Sequence, residues 1–264
     1  MAANDVIECI GPSYHLDDRK AAVQTAINCY MEQIEGLGEM RQLTQVSVPG
    51  MTQIGTLAGA IRGMRSINGR LFVVAGPKFY EVSTTGVATI RGSVTSENPF
   101  VGMAHNYTQL CLTDGSNGYV FNLASNVFTT ISSPGWQGSF DVVELDGYGI
   151  FVIPKMDEFY LSKIDNFSTF NAADFSSADS QPDSIVTQRV LHRELWFMGE
   201  TSTEIWVNSG DLSFPFVRYN SVTLDIGVVG KRAAIVAADS IMWIGKTTRG
   251  SGIVYLARGH QPQR

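Results

Sequence analysis

Apolar and polar positions repeat along this chain, from about residue 61 to its end, as short apolar stretches separated by tight turns. Each unit has a strongly apolar stretch, a turn, and a second stretch that contains aromatic residues. A period of about 40 to 50 residues in a β-rich chain is typical of the blades of a β-propeller. The apolar stretches begin at Leu71, Leu110, Tyr148, Leu195 and Ile241, in steps of 39, 38, 47 and 46 residues.

The first unit divides into four predicted strands, at residues 61–67, 70–75, 78–82 and 87–91. Asn68-Gly69 between the first two is a strong signal for a β-hairpin. Four antiparallel strands are the content of one propeller blade. The later units predict strands at 101–105, 109–113, 119–122 and 127–131, at 140–145, 148–153 and 158–162, at 185–191, 194–199 and 203–208, and at 233–238, 241–245 and 252–257.

These patterns predict an all-β, β-propeller-like fold with at least five repeated four-stranded antiparallel blades. We expect the propeller to span residues 61–264 and to follow a non-propeller N-terminal arm, an assembly segment, at residues 1–60. Within the arm, residues 17–31 fit a helix and fit an extended segment equally well. The Ser-, Asp- and Ala-rich stretch 171–184 predicts a long surface loop.

Composition narrows the classes of function. The net charge of −6 argues against a general nucleic-acid binder, because phosphate binding requires a basic face, but it is compatible with a lumen through which DNA passes. The N-terminus lacks a signal-peptide pattern, and no stretch approaches 18 apolar residues, so we expect synthesis in a host cytoplasm and no membrane insertion. Three cysteines without close spacing predict neither a disulfide framework nor a zinc site.

Two short motifs invite a chemical interpretation. Gly245-Lys246-Thr247 resembles the end of a phosphate-binding loop, but the required earlier glycine is Ser240 and no helix pattern follows, so a β-turn is favoured. His192-Arg193-Glu194 matches the His-x-Glu of zinc deaminases, yet no Cys-x-x-Cys accompanies it. His192 is therefore predicted to be a turn residue.

Paired carboxylates and exposed aromatic residues would indicate chemistry on glycans. The candidate aspartates fall mostly in predicted turns, where Asp is favoured for backbone hydrogen bonding. Tryptophans 196, 206 and 243 alternate with apolar neighbours, which favours packing between blades over a sugar-stacking platform. We predict no catalytic, cofactor-binding or metal-binding residue. The aspartates considered are Asp114, Asp141, Asp146, Asp157 and Asp165.

The order of several motifs resembles the packaged-DNA stabilisation proteins of short-tailed bacteriophages, also described as tail hub, nozzle or head-completion proteins. The strongest match is residues 191–210 together with Phe214-Pro215-Phe216. The chain is shorter than such proteins, which implies a compact or truncated form. Further matches lie at residues 28–30, 48–50, 68–76, 145–148, 174–178 and 252–255.

This resemblance implies a non-enzymatic virion protein of the phage tail. Such a protein would form a homo-oligomeric ring, a hexamer, below the portal-adaptor (head-to-tail connector) ring. It would extend the DNA channel, retain packaged DNA without sequence-specific binding, and dock the tail needle and the tailspikes or fibres. We add the hypothesis that the inner wall of the ring is acidic, so that DNA slides past it.

Two other classes of function stay open at this point. One is a carbohydrate-binding or glycan-cleaving propeller that acts as a receptor-binding tail protein. The other is a monomeric interaction scaffold outside a virion. For the ring, we expect residues 1–60 and 171–184 to make the contacts between subunits or with the adaptor, because both segments fall outside the repeat.

Overall fold

The structure, a computed structural model, describes residues 14–15, 23–24, 27–34, 42–95 and 98–263. The chain forms two compact units, residues 1–53 and 54–264. The boundary expected from the sequence, between residues 60 and 61, stays a prediction. All regular elements in the described ranges are strands, and none of these residues belongs to a helix that could cross a membrane.

The described residues of the first unit form two short antiparallel strand pairs. In the second pair the register runs from Cys29 opposite Ser47 to Ile34 opposite Gln42. The helical interpretation of residues 17–31 is therefore wrong wherever this segment is described, because its backbone groups pair between strands; the remainder lies outside the described residues. The strands are β1 (Tyr14–His15), β2 (Val23–Gln24), β3 (Cys29–Ile34) and β4 (Gln42–Ser47).

The second unit begins with two four-stranded antiparallel sheets, blades 1 and 2. Asn68 and Gly69 have φ values of 49° and 76°, the left-handed conformation that a two-residue hairpin requires. The strands of blade 1 are β5 (Ile61–Ile67), β6 (Arg70–Ala75), β7 (Lys78–Val82) and β8 (Ala88–Ser93), and those of blade 2 are β9 (Gly102–His105), β10 (Gln109–Thr113), β11 (Gly118–Asn122) and β12 (Phe128–Thr130).

Blades 3 and 4 each have a fourth, outer strand that the sequence does not predict. The expected loop at 171–184 is wrong over residues 171–177, which belong to β16 and pair with β15 through two register shifts. Strand β16 buries only Phe167 and Phe170, and its otherwise polar composition gives no strand signal in the sequence. The strands are β13 (Val142–Leu145), β14 (Tyr148–Val152), β15 (Glu158–Lys163) and β16 (Asn166–Ser177), then β17 (Ile185–Leu191), β18 (Glu194–Gly199), β19 (Thr203–Asn208) and β20 (Phe216–Leu224).

Blade 5 is a sheet of five strands. Two short strands share one long partner, since both β21 and β22 pair with β23. The sheet continues from β23 through β24 to β25. The strands are β21 (Gly227–Val228), β22 (Ala234–Ala237), β23 (Ser240–Thr247), β24 (Gly250–Arg258) and β25 (Gln261–Gln263).

The hydrophobic core lies between successive blades. Four buried clusters fill the junctions 1–2, 2–3, 3–4 and 4–5, and each draws its side chains from two neighbouring sheets. A fifth cluster covers the outer face of blade 1 with Leu57, which precedes the first strand. The alternation of apolar residues on both faces of each sheet produces this stacking, because a single blade cannot bury its own faces. The all-β, propeller-like prediction is confirmed.

Candidate functional site

The first strands of the blades surround a central channel. Strand β5 contacts β9, β9 contacts β13, β13 contacts β17, and β17 contacts β22. Two cavities, of about 700 and 480 Å³, lie along this axis. They share lining residues that include Arg65 and Arg189, so they are two ends of one axial channel.

Asp141, immediately before β13, is the buried carboxylate of the channel wall, with 4% of its surface exposed. Its Oδ2 accepts hydrogen bonds from the Thr187 hydroxyl at 2.8 Å, the Gln188 backbone N–H at 3.3 Å and the Arg189 guanidinium at 3.3 Å. Its Oδ1 accepts the Val142 N–H at 3.0 Å. Burial raises the pKa of Asp141, while Arg189 and these hydrogen bonds oppose that rise.

Arg189 joins three blades at the channel. From blade 4 it reaches Asp141 in front of blade 3, and it donates to the carbonyl oxygens of Ala234 at 2.9 Å and Lys231 at 3.2 Å on the side of blade 5. Lys231 lies 4.0 Å from the centre of the Phe140 ring. Burial lowers the pKa of Lys231, and Asp141 opposes that change.

Arg232 connects the last blade to the first. Its Nη2 donates to the carbonyl oxygen of Arg62 at 2.5 Å and to that of Pro99 at 3.3 Å. Its guanidinium also stands 4.8 Å from the centre of the Phe100 ring. Near the axis, one long side chain therefore connects blade 5 to blade 1, through residues 170 positions apart in the sequence.

The other candidate aspartates have structural roles in turns. Asp114 accepts the backbone N–H groups of Ser116 and Asn117 and the Tyr119 hydroxyl. Asp146 has a φ of 53° in a hairpin turn and forms an ion pair of 2.9 Å with Arg193. The turns also contain Asp157 and Asp165. Of the five aspartates, Asp141 is the one that lines the axial channel.

The two short motifs have ordinary structural explanations. His192 occupies the hairpin turn between β17 and β18 with a φ of 51°, as predicted, and Glu194 accepts hydrogen bonds from Trp196 and His260. Among the described residues, no group of three or more His, Cys, Asp and Glu side chains could hold a metal ion. The β-turn expected at residues 245–247 is wrong: they end strand β23, where a register shift follows Gly245.

All three candidate tryptophans are buried between blades. Trp206 packs in the junction of blades 3 and 4, and Trp196 and Trp243 pack in the junction of blades 4 and 5. Packing between blades is therefore confirmed for these side chains, and they form no exposed platform for a sugar ring.

Sequence reasoning missed the arginines of the channel. Four arginines from blades 1, 4 and 5 meet there, although they are far apart in the chain. A signal was available, because Arg65 and Arg189 each lie within the first strand of a unit. The first strands of the other units contain no arginine. The four are Arg62, Arg65, Arg189 and Arg232.

Comparison with known families gives one match that covers most of the chain. The family model described as "Bacteriophage P22 Gp10, beta-propeller" matches residues 25–264. No curated protein sequence matches the chain significantly.

Solved structures with a similar fold have low sequence identity to this chain. YCF48 bound to a D1 peptide has a TM-score of 0.53 at 12% identity, covering 83% of this chain and 71% of that one. The extracellular domain of the one-component system BT4673 from B. thetaiotaomicron has a TM-score of 0.52 at 11% identity, covering 77% and 27%. PorZ, of the type-IX secretion system of Porphyromonas gingivalis, has a TM-score of 0.48 at 13% identity. That match covers 77% of this chain and 25% of PorZ.

Proposed function

This chain belongs to the phage stabilisation family described as bacteriophage P22 Gp10, beta-propeller, and from that premise we propose that it is a hub or nozzle subunit of a short phage tail. It forms a ring of six copies below the portal-adaptor ring, in the virion. The ring extends the DNA channel, retains packaged DNA, and docks the tail needle and the tailspikes or fibres. The match over residues 25–264 carries this proposal.

Blade 5 has an apolar face that the described residues leave exposed, and this face supports assembly into a ring. Met242, Ile244 and Val254 are 41%, 41% and 52% exposed, and Ile244 lies directly opposite Val254 in the sheet. Ile235 extends the same face across β22, opposite Met242. A contiguous apolar patch of this kind marks an interaction surface. A ring of identical subunits brings a second copy of this chain to each side of every subunit, so we take that copy as the occupant.

A closed ring requires two different patches on each subunit, because its interfaces are heterologous. We propose residues 1–60 and 171–184 for the second patch and for the adaptor contacts. Exposed apolar side chains support this choice: Ile27 and Met51 in the first segment and Phe175 in the second. These residues would be buried by a neighbouring subunit or by the adaptor.

Retention of DNA in this proposal comes from a closed conduit rather than from tight phosphate binding. The net charge of −6 supports an acidic inner wall of the ring, along which phosphates meet few cationic groups. The family is structural, which indicates a non-enzymatic role.

The test is the mass of the purified chain by light scattering, with negative-stain class averages, alone and with a portal-adaptor ring. We expect six-fold rings with an axial hole. The variant Ile244→Asp should remove the rings while leaving the circular dichroism spectrum unchanged. Leu212→Asp places the same charge on a fully exposed apolar residue outside this face and should leave the rings intact.

Particles that stay monomeric in both conditions would overturn the proposal. Saturable glycan binding by such a monomer would favour a receptor-binding propeller instead.

A further inference from the structure

The axial channel of a single propeller is rich in cationic side chains, although the whole chain is acidic. Among the described residues, its two cavities are lined by four arginines and by two carboxylates, those of Asp141 and Glu144. Four positive and two negative charges leave an excess of two positive charges. The chain as a whole has a net charge of −6. The positive excess is therefore a local property of the channel.

Both carboxylates of the channel are already engaged. Asp141 accepts four hydrogen bonds, one of them from Arg189. Glu144 accepts the backbone N–H of Gly147 at 2.7 Å through Oε1. Among the described residues, neither carboxylate forms an ion pair with Arg62, Arg65 or Arg232.

Arg65 lies where the two cavities meet and has no anionic partner among the described residues. Its Nη2 is 3.3 Å from Nδ1 of His105 on the neighbouring blade. Burial lowers the pKa of Arg65, and burial together with the charge of Arg65 lowers the pKa of His105. Arg65 is nevertheless an exposed residue, so its guanidinium faces the solvent of the channel, where an anion can reach and stabilise it.

Arg62 and Arg232 bring two more cations to the same end of the channel, and among the described residues they donate hydrogen bonds to carbonyl oxygens. Arg62 is 5% exposed and donates to the carbonyls of Asn98 at 2.6 Å and Gly76 at 2.8 Å. Its Nη2 is buried and has no hydrogen-bond partner among the described residues. A carbonyl dipole does not neutralise a guanidinium, so the positive potential extends into the cavity.

We propose that the axial channel of each subunit binds a polyvalent oxyanion of the phosphate class, held by Arg65 at the junction of the two cavities. The planar guanidinium fork matches phosphate geometry and can bind phosphate through two parallel hydrogen bonds. A cavity of about 700 Å³ accommodates more than one phosphate group or a phosphate with an attached organic part. Free phosphate and a nucleotide phosphate share this chemistry.

The experiment is titration calorimetry of the full chain with sodium phosphate and, separately, with thymidine 5′-monophosphate, at constant ionic strength set by sodium chloride. Arg65→Met keeps the apolar stem of the side chain and removes its charge. Arg258→Met, on the exposed surface of β24 and outside both cavities, is the matched control.

We expect one phosphate site per chain in the wild type and in Arg258→Met, and affinity at least about ten-fold weaker in Arg65→Met. Tighter binding of the nucleotide than of free phosphate would assign the natural ligand to nucleotides, and the reverse would assign it to free phosphate.

Absence of binding to both probes, or equal affinity in Arg65→Met and wild type, would overturn the proposal. Because the readout needs only the folded subunit, it is independent of ring formation. Failure here leaves the tail proposal standing, and failure of ring assembly leaves this proposal standing.

Discussion

The face that blade 4 turns toward blade 3 and the face that blade 5 turns away from blade 4 have similar side chains in different surroundings. On blade 4, Phe197 and Trp206 are buried against Phe159, whose ring centre lies 4.3 Å from that of Phe197 and 5.1 Å from that of Trp206. On blade 5, Met242 and Ile244 stand 41% exposed. The two faces differ in whether a neighbouring blade covers them, and not in the apolar character of the sheet.

The comparison shows where the stability of this fold resides. A blade has apolar residues on both faces, so each junction contributes a separate share of buried surface, as in other repeat architectures. A side chain in a filled junction should affect stability strongly, and its counterpart on the open face should affect assembly instead.

The largest effect is expected at the centre of the closed junction. Phe159→Ala should lower the free energy of unfolding by about 3–5 kcal/mol, because it leaves a cavity among buried rings. Met242→Ala, on the open face, should lower it by no more than about 1 kcal/mol. Urea unfolding followed by tryptophan fluorescence measures both. Equal losses in the two variants would show that the open face is covered in the isolated subunit.

The second prediction concerns Asp141, a polar residue where the junctions between blades border the axial channel. Asp141→Asn should lower the free energy of unfolding by about 2–4 kcal/mol at pH 7, since the amide disturbs four donors and leaves Arg189 without a carboxylate.

The matched control is Asp146→Asn. Its partner Arg193 has 77% of its side chain exposed, so loss of the ion pair should cost at most about 1 kcal/mol. Asparagine also tolerates the positive φ of that turn. A result in which Asp141→Asn is the milder change would mean that the buried charge destabilises the junction.

Local sequence patterns were sufficient to predict the first three strands of blade 1. Strands 61–67, 70–75 and 78–82 match the structure residue for residue, because apolar alternation and the Asn68-Gly69 turn point to the same register. The outer strands β16 and β20 were missed, since an edge strand with polar side chains lacks that alternation. Apolar alternation identifies strands whose side chains pack in the core, and an edge strand is paired with another strand along one side only.

The channel could not be predicted from local signals. Arg62 and Arg232 meet across 170 residues, and Asp141 meets Arg189 across 48. Such contacts depend on which blade follows which around the axis and on how the last blade meets the first. Neither is encoded in a short window of sequence.

The smallest effect on stability is expected for two ion pairs. One lies at the filled junction of blades 1 and 2, and the other lies on the surface of blade 5. Arg70 and Arg91 lower the pKa of Glu81 from 4.5 to about 2, and Arg70 also donates to the carbonyl oxygen of Leu123 in blade 2. Lys246 lowers the pKa of the exposed Glu200. Glu81→Gln should therefore destabilise the chain at pH 7 by about 1–2 kcal/mol, after allowance for solvent screening, and Glu200→Gln should change little.

The pH dependence identifies the source of the Glu81 effect. Because the folded state lowers this pKa, its contribution is complete above pH 4.5, the ordinary value, and is lost as pH falls toward 2. The stability difference between wild type and Glu81→Gln should accordingly shrink over that range, as measured by urea unfolding at several pH values. A difference that stays constant from pH 7 to pH 2 would assign the effect to altered packing of Arg70 and Arg91. The charge of Glu81 would then contribute nothing to the stability of the junction between blades 1 and 2.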